Sequence, residues 1–149
     1  MYAVWEQEYT ITFESNGGTS ASPIKYISSE CPLALSTPAK DGCDFVGWYE
    51  SDESQTFTEL PAGSTGDKDL YAKWIPEKYE ISYNGIDGCK WSSSTTNPNP
   101  AQYDVETSTI TLANPEKDYY EFLGWTGTGL AMPVKTVKIP KGSTGNREY

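Results

Sequence analysis

The chain has 149 residues, with 21 acidic against 11 basic side chains, a net charge of −10 and no histidine. That balance disfavours nucleic-acid partners, whose phosphates must be neutralised by Lys and Arg, and it disfavours electrostatic docking to anionic membranes. Without histidine there is no Ser-His-Asp or Cys-His arrangement, and no run of 18 apolar residues is present to span a bilayer.

Eleven Tyr and five Trp, punctuated by 13 Gly and 10 Pro, read as strands and turns. The first stretch, "MYAVW" (1–5), is strand-like and contains no turn residue. Tyr9, Ile11 and Phe13 alternate with polar residues and predict a half-buried strand. "SNGG" (15–18) breaks it, with Asn16 and Gly17 or Gly18 suited to positive φ. In "CPLALSTP" (31–38), Leu33 and Leu35 predict another strand that Pro38 closes. "DFVGWYE" (44–50) is apolar on both faces and is expected at the centre of a sheet. Gly47 leaves room there for an aromatic ring from a neighbouring strand, with Trp74 the candidate. "QTFTEL" (55–60) reads as an edge strand, and "DLYAKW" (69–74) ends the unit before Pro76. No stretch shows capped helical periodicity. The expectation is mainly β structure, α+β at most, with little or no helix.

The pattern then repeats. "YTITF" (9–13) matches "YEISY" (79–83), "FVGW" (45–48) matches "FLGW" (122–125), and "PAGSTGDKDL" (61–70) matches "PKGSTGNREY" (140–149). The offset is 70 at Tyr9/Tyr79, 77 at Phe45/Phe122 and 79 at Pro61/Pro140, so the second copy carries two insertions. They are expected within 84–100 and 126–136, as turn-rich surface loops. "MYAVW" resembles "LYAKW" (70–74), the end of a unit, and is read as the last strand of a preceding repeat. The organisation expected is therefore that strand with a linker at 1–8, repeat 1 at 9–75, a linker at 76–78, and repeat 2 at 79–149 without its final strand. Pro76 in the short linker predicts a semi-rigid rod of stacked units. Core candidates are Tyr9, Phe13, Phe45, Gly47, Trp48, Tyr71, Trp74, Tyr79, Phe122, Gly124 and Trp125, with Trp5 in the same repeated set. Burying each large aromatic is worth roughly 2–3 kcal/mol.

Little in the chain suggests bond chemistry. Cys31, Cys43 and Cys89 form no CxxC pair; Cys43 reads as a small core filler, and a Cys31–Cys43 bridge stays open. The "GSTG" segments lack phosphate-loop spacing and suit a turn into the last strand. Glu50, Asp52 and Glu53 read as solvated loop charge, with weak Ca²⁺ binding the sharper alternative. Trp91, in a polar insertion beside Lys90, reads as an anchor of its own loop, with an exposed ring that stacks on a sugar or protein as the sharper alternative. Met132, in the other insertion, is the third candidate ligand contact.

Taken together, "YTITFESNGG" (9–18), "GCDFVGWYE" (42–50), "DLYAKW" (69–74), "YEISYNG" (79–85) and "YYEFLGW" (119–125) resemble the Listeria–Bacteroides repeat family, of the internalin B-repeat type. The resemblance implies tandem small β-grasp-like domains with twisted antiparallel or mixed sheets. It also implies a place on bacterial cell-surface, wall-attached or secreted proteins, with no cofactor and no enzymatic activity. Cys43 departs from the family's aromatic at that position, which Tyr120 retains. The expected role is a spacer or stalk with a possible part in adhesion, its partners being neighbouring repeats. The alternative is a module that binds host protein or glycan through the inserted loops of repeat 2.

Overall fold

The alternation of Tyr9, Ile11 and Phe13 becomes strand β1 (Glu8–Glu14), with Ile11 fully buried. The structure, a computed structural model, describes residues 1–51 and 55–149. It divides into two units, Met1–Ile75 and Pro76–Tyr149. Both are mainly β, and no helix among the described residues is long and apolar enough to cross a membrane.

In the first unit β1 is followed by β2 (Ile24–Ile27), a single 3-10 turn at Ser28–Glu30, β3 (Leu33–Ala34), β4 (Cys43–Tyr49), β5 (Glu59–Leu60) and β6 (Lys68–Pro76). The main sheet has the order β2-β1-β6-β4, and β3 pairs with β5 separately. β1 runs antiparallel to β2 and parallel to β6, with Ile11 opposite Lys68 and Phe13 opposite Leu70. The core gathers Ile11, Tyr26, Leu35, Trp48, Leu60, Leu70 and Ala72, with Tyr9, Phe13, Phe45 and Trp74 packed against it partly buried. Trp48 touches Phe13 and Phe45 at centroid distances of 4.8 and 5.5 Å, and Phe45 meets Trp74 edge-on at 5.4 Å. Such ring pairs add directional stabilisation beyond the area they bury.

Several expectations are corrected. β4 lies at the end of the four-stranded sheet, because β1 and β6 take the centre. Among the described residues the far side of β4 carries a bridge at Trp48–Phe57, two backbone hydrogen bonds of 2.8 Å. Gly47 does not face Trp74: a Cβ there would meet Thr56 and the Phe57 backbone at 3.0–3.2 Å. Trp74 lies over Gly18 instead, where a Cβ would overlap its ring, and its indole N–H donates to the Ser15 carbonyl at 2.9 Å. β2 went unread in the sequence because only Tyr26 of its four residues is buried. "MYAVW" forms no strand, and Trp5 is 90% exposed rather than core. No sheet edge of its own unit receives it; the nearest anchor is Glu6, which accepts from the Ser29 backbone and hydroxyl at 2.7 and 2.6 Å.

The recurring "GSTG" segment has a definite job. Gly63 and Gly66 turn the chain at φ of +77° and +83°. The buried Tyr26 hydroxyl donates to the Gly66 carbonyl at 2.7 Å, and Asp67 accepts the Thr10 backbone N–H at 2.8 Å. These bonds hold the start of β6 beside β1.

The second unit repeats the frame with β7 (Tyr79–Ser82), β8 (Gln102–Tyr103), β9 (Ile110–Thr111), β10 (Trp125–Gly127), β11 (Leu130–Val134), β12 (Lys138–Ile139) and β13 (Arg147–Glu148). Its sheets are β13-β7-β8, β12-β9 and β10-β11, with β13 parallel to β7. Tyr103 donates to the Gly145 carbonyl at 2.5 Å, and Asn146 accepts the Glu80 N–H at 2.8 Å, as Tyr26 and Asp67 do in the first unit. The core gathers Tyr79, Ile81, Tyr103, Leu112, Trp125, Val137, Ile139 and Tyr149, with Phe122 packed against it.

Matching hydrogen bonds locate the insertions. Gly18 N–H to Ser15 O recurs as Cys89 N–H to Ile86 O, and Thr19 N–H to Ala39 O recurs as Lys90 N–H to Glu116 O. One added residue therefore precedes Ile86, and the rest of the first insertion follows Lys90. Trp48–Phe57 recurs as Trp125–Val134, and Leu35 N–H to Thr58 O recurs as Leu112 N–H to Val137 O. The second insertion is thus Lys135–Thr136. By the same matching, Cys89 stands where the first unit has Gly18.

Gly18→Ala should lower stability by roughly 1–3 kcal/mol, because the added methyl forces the Trp74 ring from its seat. In a Trp74→Ala background the same change should cost much less, measured as a double-mutant cycle in denaturant unfolding of the 149-residue chain.

Candidate functional site

The most distinctive surface lies in the second unit, at the counterpart of β4. β4 is a strand from Cys43, whereas in the second unit the strand begins only at Trp125, so 120–124 form none. Tyr119 and Tyr120 replace Gly42 and Cys43, and both are exposed, as is Leu123 at 69%. Tyr119 has φ +67°, close to the +69° of Gly42, a left-handed conformation that crowds the Cβ of an aromatic residue.

Beside this stretch is a cavity of about 250 Å³, lined by Ile86, Cys89, Lys117, Tyr120, Phe122 and Tyr149, among others. Lys117 donates to the Asp87 carbonyl at 3.1 Å and lies over the Tyr120 ring at 5.5 Å. Lys40 in the first unit donates to the Asn16 carbonyl at 3.0 Å and lies over the Trp74 ring at 5.8 Å. The groove is therefore built like the Trp74 seat. Tyr83 stands near it, its hydroxyl donating to the Pro100 carbonyl at 2.8 Å; burial, reinforced by Tyr149, pushes its phenol up to about 12.

None of the sequence-derived candidates Trp91, Lys90 and Met132 lines this groove. Of the two readings of Trp91 the loop anchor agrees with the structure: the ring is only 7% accessible and its backbone is bridged to Ser94 within the insertion. Its indole N–H has no partner among the described residues. Lys90 forms an ion pair with Asp118 at 2.7 Å. Met132 stands 69% exposed on β11. The Tyr119–Leu123 edge went unread as a site, although the exchange of Gly42 and Cys43 for two tyrosines was visible in the aligned copies.

The acidic loop is only partly described: Glu50 pairs with Lys68 at 2.9 Å, while Asp52 and Glu53 lie outside the described residues. Among the described residues no three Cys, Asp or Glu side chains gather as a metal site. Cys31, Cys43 and Cys89 are free thiols, and Cys43 is half-buried at the start of β4. The groove combines apolar contact with a cation above a ring.

Among the described residues Asp104 is the one strongly shifted carboxylate. It accepts from Lys78 and from the Thr107 hydroxyl and backbone N–H at 2.8 and 2.9 Å; these contacts, Lys78 foremost, hold its carboxyl at about 2.

These features define a tandem β-repeat protein built on recurring aromatic anchors. Residues 9–73 and 79–142 each match the Listeria-Bacteroides repeat domain, and the chain belongs to that family. It is similar to two proteins of Evansella cellulosilytica. One, named "Putative Gly-rich membrane protein", is 31% identical over 131 residues, covering 84% of this chain and 14% of the relative. The other, named "Putative membrane protein", is 38% identical over 129 residues, covering 84% of this chain and 18% of the relative. The chain thus spans less than a fifth of the length of either. No solved structure matches it.

Tyr119→Gly should raise stability by about 1 kcal/mol by relieving the left-handed tyrosine, read as a higher Tm of the full chain. Asp104 predicts a pH dependence. Its depressed pKa contributes stability above about pH 4, where the unfolded carboxyl is ionised, and that contribution is lost as pH falls through about 2. Asp104→Asn should flatten the stability profile across this window, measured as Tm against pH by circular dichroism.

Proposed function

We propose that this chain is a non-catalytic repeat segment of a bacterial cell-surface or secreted protein, and that it serves as a spacer between functional parts. The observation that carries this reading is the frame shared by both units. The Tyr26–Gly66 and Tyr103–Gly145 clamps and the Trp48 and Trp125 anchors recur, while among the described residues no constellation of reactive side chains recurs with them. The parallel first and last strands beside an antiparallel neighbour support a β-grasp-like unit of the internalin B-repeat type. The relatives' names as membrane proteins support a surface location.

A second reading, a module that binds host protein or glycan, is favoured by one feature: Tyr119, Tyr120, Leu123 and Met132 are exposed on the second unit. Surface aromatics of this kind are common anchors of interfaces. The spacer reading predicts no retained ligand when the purified 149-residue chain is screened on a glycan array and a host-protein panel. A hit that disappears in a Tyr119→Ala/Tyr120→Ala double variant of unchanged Tm would replace the spacer with the binding module.

A further inference from the structure

The two units also differ between the segments 19–24 and 34–38 and their counterparts. The matched strands and clamps align Phe13 with Tyr83, Ser22 with Asn99, Pro23 with Pro100 and Ser36 with Ala113. In the second unit the space among these residues is closed from within. The Asn99 side-chain N–H donates to the Ala113 carbonyl at 3.0 Å, and its own carbonyl accepts the Ala113 N–H at 2.6 Å. The Tyr83 hydroxyl donates to the Pro100 carbonyl at 2.8 Å. The first unit has none of these ties, because Ser22 has no amide and Phe13 no hydroxyl.

A cavity of about 420 Å³ lies there instead, lined by Phe13, Thr19, Ser22, Ile24, Ser36 and Pro38, among others, and no lining residue is charged. Ser36 is exposed, and its N–H has no hydrogen-bond partner among the described residues. Its carbonyl accepts the Trp48 indole N–H at 2.8 Å and keeps a second lone pair. Leu35 and Leu112 make the same backbone bond, to Thr58 and Val137, so Ser36 sits in the chain as Ala113 does.

We propose that this cavity of the first unit binds a primary carboxamide, the side chain of an Asn or Gln residue in an extended segment of a partner protein. The amide pairs with Ser36 as Asn99 pairs with Ala113, donating to the carbonyl and accepting from the N–H. Two such parallel bonds need an N–H on the same side as the C=O. A primary amide has one; a trans secondary amide, in a peptide backbone or an acetamido sugar, does not. A carboxylate lacks the donor, and the uncharged lining offers it no counter-charge. The methylene stem of the guest lies against Phe13 and Ile24, where its burial adds to the two hydrogen bonds. One such contact is too weak to survive the washing of a panel, so the site goes beyond the spacer reading without contradicting it.

Backbone amide shifts of the isotope-labelled 149-residue chain, followed by NMR during titration, test this. Propionamide should move the Ser36 resonance with a Kd of roughly 10–100 mM, and N-methylpropionamide and propionate should bind at least about tenfold more weakly. A synthetic Thr-Asn-Pro-Asn-Pro-Ala peptide, the sequence of 96–101, should bind more tightly than propionamide, and its counterpart with both asparagines replaced by aspartate should not bind. Ser22→Asn, which supplies the amide of the second unit, should abolish binding at unchanged or raised Tm. A Ser36 resonance that propionamide leaves unmoved, equal shifts from all three small probes, or binding that persists in Ser22→Asn overturns the proposal. A peptide that binds no more tightly than propionamide overturns the assignment to a protein segment in favour of a free small amide.

Discussion

The parallel pairing of the first and last strands of each unit is the constraint on which the rest depends. It joins segments far apart in sequence: Asp67 bonds to Thr10 and Asn146 to Glu80. Closing such a loop costs entropy, and a parallel pair cannot be made by a tight hairpin. The cost is met at one place. Two left-handed glycines turn the chain, a buried tyrosine hydroxyl binds the second of them, and an Asp or Asn side chain caps the first strand. With that clamp set, Leu70 lies in the core beside Ile11, and Tyr149 beside Ile81, where Trp48 and Trp125 complete the packing.

Divergence between the units falls outside this clamp. The insertions after Lys90 and at Lys135–Thr136 leave the matched hydrogen bonds on either side intact. The replacement of Gly18, Gly42 and Cys43 by Cys89, Tyr119 and Tyr120 is different, because it alters the seat of the last strand's tryptophan. Glycine at Gly18 is required by the Trp74 ring pressed against it. The second unit carries a thiol at that position.

Much of the fold was legible locally. Strand β1 follows from its alternation, the turn after it from Asn16 and Gly17, which take φ of +49° and +88°, and a turn into the last strand from the recurrence of "GSTG". The candidate site was far less legible. Polar neighbours left Trp91 readable as a loop anchor or as an exposed ring, because burial is decided by what folds over a residue; the structure has it buried. Trp74 was matched to Gly47 for want of knowing which glycine it approaches; Gly18, in a different segment, is the one. β4 looked central because it is apolar on both faces, but order in a sheet is set by which strands pair, and β6 inserts beside β1.

The sequence by itself determined the repeat, the mainly β character, the turn glycines and most aromatic anchors, since these depend on residue type and short-range spacing. Only the tertiary structure decided the strand order, the exact positions of the insertions, the burial of Trp91 and the exposure of Tyr119, Tyr120 and Leu123. Each of those depends on contacts between residues distant along the chain. Alternation shows that one face of a strand is covered without showing which strand covers it.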